Sequence, residues 1–150
     1  MSNNFNILIL NGPNLNKLGT RQPEIYGSET LDDIEKKCLK LAQTLNFELQ
    51  FFQSNNEGDL ITQIQNAKEN YDGIIINAAA YTHTSIALLD ALTLFEKPVI
   101  EVHLSNIHQR EAFRHTSYIA KIAVGSICGF GGNVYTLALN AMSGLLNKSL

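Results

Sequence analysis

The chain has 150 residues, of which 45% are apolar and 17% charged, and its formal net charge is −3. This length fits a single domain over residues 1–150 that buries roughly two thirds of its unfolded surface. The composition excludes a disordered chain, the charge excludes a general field favouring nucleic acid or anionic membrane, and no window approaches the ~20 apolar residues of a spanning helix. Any anion therefore has to be held locally. Met1-Ser2-Asn3-Asn4 has no basic region leading into a long apolar stretch, so a cytoplasmic protein is expected. Cys38 lies in a helical pattern and Cys128 in an apolar strand pattern, without CxxC spacing or a nearby His at ligand spacing. Two buried thiols in a reducing compartment are the expectation.

Strand and helix signals alternate along the chain, which predicts a parallel sheet with helices on both faces. The first strand is expected at Asn6 to Leu10. Asn11 to Tyr26 then form a strand-to-helix loop of roughly sixteen residues where two to six are usual, so it reads as a functional loop or lid, or else as a surface Ω-loop. A helix opens near Thr30 with acids in its first turn and an apolar stripe of Leu31, Ile34, Cys38, Leu41 and Leu45. Phe47 to Phe52 alternates as a second strand, and the polar turn Ser54 to Asp59 leads into a helix whose apolar face is Leu60, Ile61, Ile64 and Ala67. Gly73 to Ile76 is a third strand, continuously apolar as a strand covered on both faces should be. The polar-tipped loop Asn77 to Ser85 precedes a helix to about Phe95, with Ile86, Leu89 and Leu92 on one side. Val99 to His103 is the fourth strand, followed by a polar loop or short helix through His115. A fifth strand is expected from Ile119 to Cys128 and a last helix from about Gly132 to Leu146. Five strands and about five helices suit an α/β, doubly wound, flavodoxin-like sheet of order 2-1-3-4-5, in which ligands bind beyond the carboxyl ends of the strands.

That rule sorts the polar residues onto two rims. Asn14, Arg21 and Tyr26 follow the first strand, Ser54 and Asn55 the second, Asn77 and His83 the third, and His103, Ser105, Arg110 and Arg114 end or follow the fourth. Asn46, Asp72 and Lys97 fall on the opposite rim as turn residues. The carboxyl rim has no nucleophile elbow, no paired carboxylates, no H-E-x-x-H and neither of the glycine-rich phosphate motifs, so covalent hydrolysis, metal-assisted hydrolysis and nucleotide binding lack their parts. Its arginine, tyrosine, histidine and amide groups suit proton transfer on a polyhydroxylated acid. A phenol titrates at about 10, and a neighbouring cation such as Arg21 favours the phenolate of Tyr26 as a base. Each residue also has a plain structural reading. Tyr26 can anchor the loop, His103 can be a satisfied core histidine, His83 can cap the next helix, Asn77 can hold its loop, and Arg110 and Arg114 around Glu111 can form a solvated charged face. His108 and His115 are read as surface residues.

Five ordered motifs resemble the type II 3-dehydroquinate dehydratases over nearly the whole chain. They are N-G-P-N-L-x-x-L-G-x-R-x-P-x-x-Y-G at Asn11 to Gly27, Q-S-N-x-E-G at Gln53 to Gly58, N-A-A-A-Y-T-H-T-S at Asn77 to Ser85, E-V-H-L-S-N-I-H-x-R-E-x-F-R at Glu101 to Arg114, and the glycine-rich segment from about Gly125 to Tyr135. Ala78-Ala79 depart from the Pro or Gly that many members carry, which touches only the loop's conformation. Leu89, ahead of Asp90, stands where several members carry a charge, which touches only a subunit contact.

The resemblance implies a single catalytic domain that dehydrates 3-dehydroquinate to 3-dehydroshikimate by anti elimination through an enolate, without an imine, a cofactor or a metal. Tyr26 would be the base and Arg21 would hold it as phenolate. Asn14 would position the water or donor that stabilises the enolate oxygen, and His103, oriented by Glu101, would be the general acid. The substrate carboxylate would meet the backbone N–H groups of Leu104 and Ser105 and the amide of Asn77. His83 and Arg114 would bind ring hydroxyls, Asp90 would reach in from a neighbouring subunit, and Arg110 would stabilise the closed lid. A homododecamer of four trimers is the expected assembly. Two rivals remain: a flavodoxin-like module that binds flavin or a phosphate signal without chemistry, and the same reaction serving quinate breakdown.

Overall fold

The computed structural model describes residues 4–20 and 27–148. Five strands, β1 (Phe5–Asn11), β2 (Phe47–Gln53), β3 (Gly73–Asn77), β4 (Val99–His103) and β5 (Gly125–Cys128), form one sheet of order β2-β1-β3-β4-β5. Every pairing is parallel, with Ile9 opposite Phe51 on one side and Ile75 on the other. Among the described residues four α-helices pack on it: α1 (Leu31–Leu45), α2 (Glu57–Asn70), α3 (Ile86–Phe95) and α4 (Asn133–Leu146).

Local chemistry starts these helices. Thr30 accepts from the Asp33 N–H at 3.1 Å while the Asp33 carboxylate accepts from the Thr30 N–H at 3.0 Å, a reciprocal cap that satisfies two otherwise orphaned donors. Asn56 caps α2 and Ser85 caps α3 in the same manner, from one side only. Asn46 ends α1 in the left-handed region, where asparagine is tolerated.

Strand alternation divides the core in two. Ile7, Ile9, Ile75, Ile100 and Val102 face α1 and α4, whereas Leu8, Leu10, Ile74, Ile76 and Val99 face α2 and α3. Each fully buried side chain of this kind contributes roughly 1.5–3 kcal/mol, so the two layers fix the strand faces firmly. Glu101 and His103 share the face of Val99 by the same two-residue period, and both are buried. A carboxylate and an imidazole are thereby forced into a hydrophobic layer.

Four expectations need correction. The segment expected to begin the fifth strand is a 3₁₀ turn, Ile119–Lys121, and only Gly125–Cys128 joins the sheet. Ile119 is fully buried in the core that also holds α2 and α3, and its carbonyl accepts from Ala123 N–H, which a strand would not allow. The polar segment after β4 forms two short 3₁₀ turns, Ile107–Gln109 and Ala112–Arg114, so the α-helix count is four and not five among the described residues. The buried stripe of α3 is Leu88, Ala91, Leu92 and Phe95, leaving Ile86 56% exposed, because a helix apolar on nearly every side carries no periodicity to choose its inner face. Cys128 is half-buried where a buried thiol was expected. No helix among the described residues is long and apolar enough to cross a membrane.

Candidate active site

The carboxyl ends of β1, β2 and β3 are laced together by backbone contacts. Gly12 N–H donates to the Asn77 carbonyl at 2.8 Å and Ser54 N–H to the Asn11 carbonyl at 3.0 Å. Gly12 has to be glycine for this approach, because a Cβ there would stand 2.7 Å from the Ala78 carbonyl carbon and overlap its oxygen. The next residues of the first loop are held by the second. Gln53 Nε2 donates to the Gly12 carbonyl at 3.1 Å, and the Asn55 side-chain oxygen accepts from the Asn14 N–H at 2.9 Å. Asn14 is thereby set in the left-handed region at φ 71°. Tyr81 Oη donates to the Asn55 carbonyl at 2.8 Å, tying the third loop to the second.

At the end of β4 the carboxylate of Glu101 receives four hydrogen bonds. His103 Nε2 donates at 2.8 Å, Thr82 Oγ1 at 2.9 Å, Ser126 Oγ at 2.8 Å, and Ser117 Oγ makes a short bond. Burial alone would raise the Glu101 pKa, but hydrogen bonds from His103, Ser117 and Ser126, with the attraction of His103, hold it down at about 2. Glu101 is therefore an ionised carboxylate only 2% exposed, with its acceptor sites committed. Its hold on Nε2–H leaves Nδ1 as the nitrogen of His103 that can exchange a proton, and acid action requires the imidazolium.

His83 stands beside it. The two imidazole rings stack at 6.3 Å between centroids with 18° between planes. His83 Nδ1 lies 2.8 Å from the Thr116 carbonyl, which can only accept, so Nδ1 carries the proton and Nε2 is the remaining polar atom. Thr116 and Ser117 thus clip His83 and Glu101 from one short segment. Arg114, two residues earlier, is ion-paired with Glu111 at 2.8 Å and lies over the Phe113 ring. Arg110 donates to Ser105 Oγ at 3.4 Å, and its carbonyl accepts from exposed His115. Leu104 and Ser105 lead directly out of β4, where the Leu104 carbonyl accepts from Gly131 N–H. Asp90 is exposed on α3, outside this cluster.

Arg21 and Tyr26 lie outside the described residues. Their flanks converge, since a Cβ on Gly19 would come within 2.6 Å of the Ser28 carbonyl oxygen. Asn77 is buried, its Nδ2 donating to Tyr135 Oη at 3.0 Å and its Oδ1 accepting from Ala79 N–H at 3.2 Å. Ala79 sits at φ 53°, a conformation that glycine adopts freely and alanine at a cost of ~1–2 kcal/mol. Reading residue by residue missed Thr82, Ser117 and Ser126 around Glu101, and Asn11 and Tyr135 beneath Asn77. Thr82, Asn11 and Tyr135 stand inside the quoted motifs, but a motif does not say which of its polar members meet. Cys128 pairs with His103 in register, and burial with the nearby Glu101 charge pushes its thiol pKa up; burial pushes that of Cys38 up to about 12. Neither thiol is an activated nucleophile.

Buried acid and base groups gather at the rim where ligands of doubly wound sheets bind. Residues 5–143 match the family model described as dehydroquinase class II. The chain is 58% identical over 138 residues to a 3-dehydroquinate dehydratase of Dinoroseobacter shibae, covering 92% of each. It is similar to the crystal structure of a type II dehydroquinase from Propionibacterium acnes, with a TM-score of 0.88 and 40% identity over 95% of this chain and 97% of the other. The type II dehydroquinase of Butyrivibrio crossotus aligns with a TM-score of 0.88 and 42% identity, covering 92% and 97%. The sheet order, the rim and these matches agree, and the chain belongs to the class II dehydroquinase family.

Proposed function

We propose that this chain removes water from 3-dehydroquinate by anti elimination through an enolate, with Tyr26 as base and His103 as general acid. Family membership makes it a hydro-lyase of the shikimate pathway, a type II 3-dehydroquinate dehydratase. The observation that carries the mechanism is the buried Glu101 carboxylate bonded to His103 Nε2 at the mouth of the sheet.

In the proposed sequence the phenolate of Tyr26, held by Arg21, takes a proton from the carbon next to the ketone. The electron pair moves onto the ketone oxygen, and a water or donor positioned by Asn14 stabilises the enolate. When the enolate collapses, the carbon–oxygen bond to the leaving hydroxyl breaks and His103 supplies a proton from Nδ1, so that water departs. Solvent then returns Tyr26 to phenolate and His103 to imidazolium. The loop carrying Tyr26 closes over the substrate and excludes water, with Arg110 favouring the closed state. Asn77 and the N–H groups of Leu104 and Ser105 take the substrate carboxylate, and His83 and Arg114 take ring hydroxyls. Asp90 acts across a subunit boundary in a homododecamer, a reading supported by exposed Ile86 and Leu94 on the same helix. Light scattering at the mass of a monomer would remove that assembly.

The test is the growth of enone absorbance when chelator-treated protein meets 3-dehydroquinate beside a Tyr26→Phe control. Signal from the parent alone is expected. Equal signal from both proteins would overturn the base, and silence from both would overturn the reaction.

A further inference from the structure

The phenol of Tyr135 is fully buried, takes no part in the proton transfers above, and stands between two asparagines at the ends of neighbouring strands. Its hydrogen bonds can run in one direction only. Asn11 Nδ2 donates to the Phe52 carbonyl at 3.2 Å, which turns Asn11 Oδ1 toward Tyr135. Tyr135 Oη therefore donates to Asn11 Oδ1, at 2.6 Å, and has only its lone pairs left for Asn77. Asn77 has to present Nδ2, which it does at 3.0 Å, while its Oδ1 turns to the Ala79 N–H at 3.2 Å. One backbone carbonyl on β2 thus dictates the flip of an amide on β3, through a side chain from α4. The relay spans 124 residues of sequence between Asn11 and Tyr135 and 58 between Asn77 and Tyr135.

We infer that Tyr135 is a positioning residue for substrate binding: it locks the Asn77 carboxamide with its N–H groups directed as donors, the polarity needed to receive a carboxylate. The inference rests on the reading above that Asn77 meets the substrate carboxylate. Without the phenol the amide keeps, among the described residues, only the Ala79 N–H as an orienting partner, so Nδ2 is held by nothing on its own side and the donor end is less firmly directed at an anion. The consequence is expected in binding, because the hydrogen bonds of Tyr135 among the described residues go to Asn11 and Asn77 and not to His103.

The test measures kcat and KM for 3-dehydroquinate in Tyr135→Phe, in Asn77→Ala and in the double variant. Tyr135→Phe is expected to raise KM about tenfold, the scale of one hydrogen bond to a charged group, with kcat within about twofold. In the Asn77→Ala background the same change is expected to add nothing, since it acts through Asn77. An unchanged KM, a loss confined to kcat, or additive effects would each overturn the inference. Should Tyr135→Phe fail to fold, side-chain amide hydrogen exchange of Asn77 in the parent protein decides the matter: slow exchange of a locked amide supports it, and exchange as fast as a surface asparagine overturns it. A parent protein without dehydratase activity would sink the functional reading while the exchange result still reported on the lock.

Discussion

The two rims of the sheet use their polar side chains differently. On the amino rim side chains bond to backbone. Asp72 accepts from the Asn6 N–H at 2.8 Å, and Lys97 donates to the Tyr71 carbonyl at 2.7 Å and to that of Lys68. These contacts close turns and are exposed to water. On the carboxyl rim side chains bond chiefly to other side chains, deep enough that Glu101 and His103 are 2% and 5% exposed. A buried ionised group is costly unless every acceptor site is used, so the carboxyl rim holds its geometry tightly and loses much when one partner goes. The amino rim is scaffolding, and the carboxyl rim is an organised electrostatic site.

Substitutions on each side break or sharpen this contrast. The largest effect is expected at His103→Asn, which removes the acid while filling similar space: kcat should fall by about 10²–10⁴, measured by enone formation. A fall of less than tenfold would remove His103 from the proton transfer.

Glu101→Gln comes next. An amide offers one acceptor oxygen to four donors, so stability should drop by about 2–4 kcal/mol in urea unfolding. The acid limb gives the same contrast without relying on activity. The folded-state pKa of Glu101, about 2, lies below its ordinary 4.5, so its contribution is fully present above pH 4.5 and is lost as pH falls toward 2. That contribution is on the order of 3 kcal/mol, and the urea midpoint of the parent should fall between pH 5.5 and pH 3 more steeply than that of Glu101→Gln. Parallel falls would show that the carboxylate is not the group responsible.

Gly12→Ala tests the backbone beneath the rim. Its new methyl has no room against Ala78, and a loss of about 2–3 kcal/mol is expected by thermal or urea unfolding. On the amino rim Asp72→Ala should cost only about 1 kcal/mol, with kcat within about twofold, since it removes one exposed hydrogen bond. A larger loss of activity there would end the division between scaffold and site.

The run Val99-Ile100-Glu101-Val102-His103 shows how far local pattern reaches. Its residues predict a fourth strand, and in the structure all five are buried with Glu101 and His103 on one face by the period of two. The α3 sequence shows where pattern stops: with Ile86, Leu88, Leu89, Leu92, Leu94 and Phe95 all apolar, several faces were eligible for burial and only packing against α2 selected one. The same holds for Ile119, whose apolar run suggested a strand although its backbone turns to bury the side chain beside α2 and α3.

The succession of strands and helices, the family and, for the described residues, the sorting of polar side chains onto rims were therefore legible in the sequence alone, because alternating periods and ordered motifs are local properties. The residues that complete the site were decided by tertiary structure. Thr82, Ser117 and Ser126 reach Glu101 from 19, 16 and 25 residues away, and Tyr135 reaches Asn11 from 124. No local pattern encodes such meetings, since a hydroxyl satisfies a buried carboxylate only when the closed chain brings it within hydrogen-bond distance.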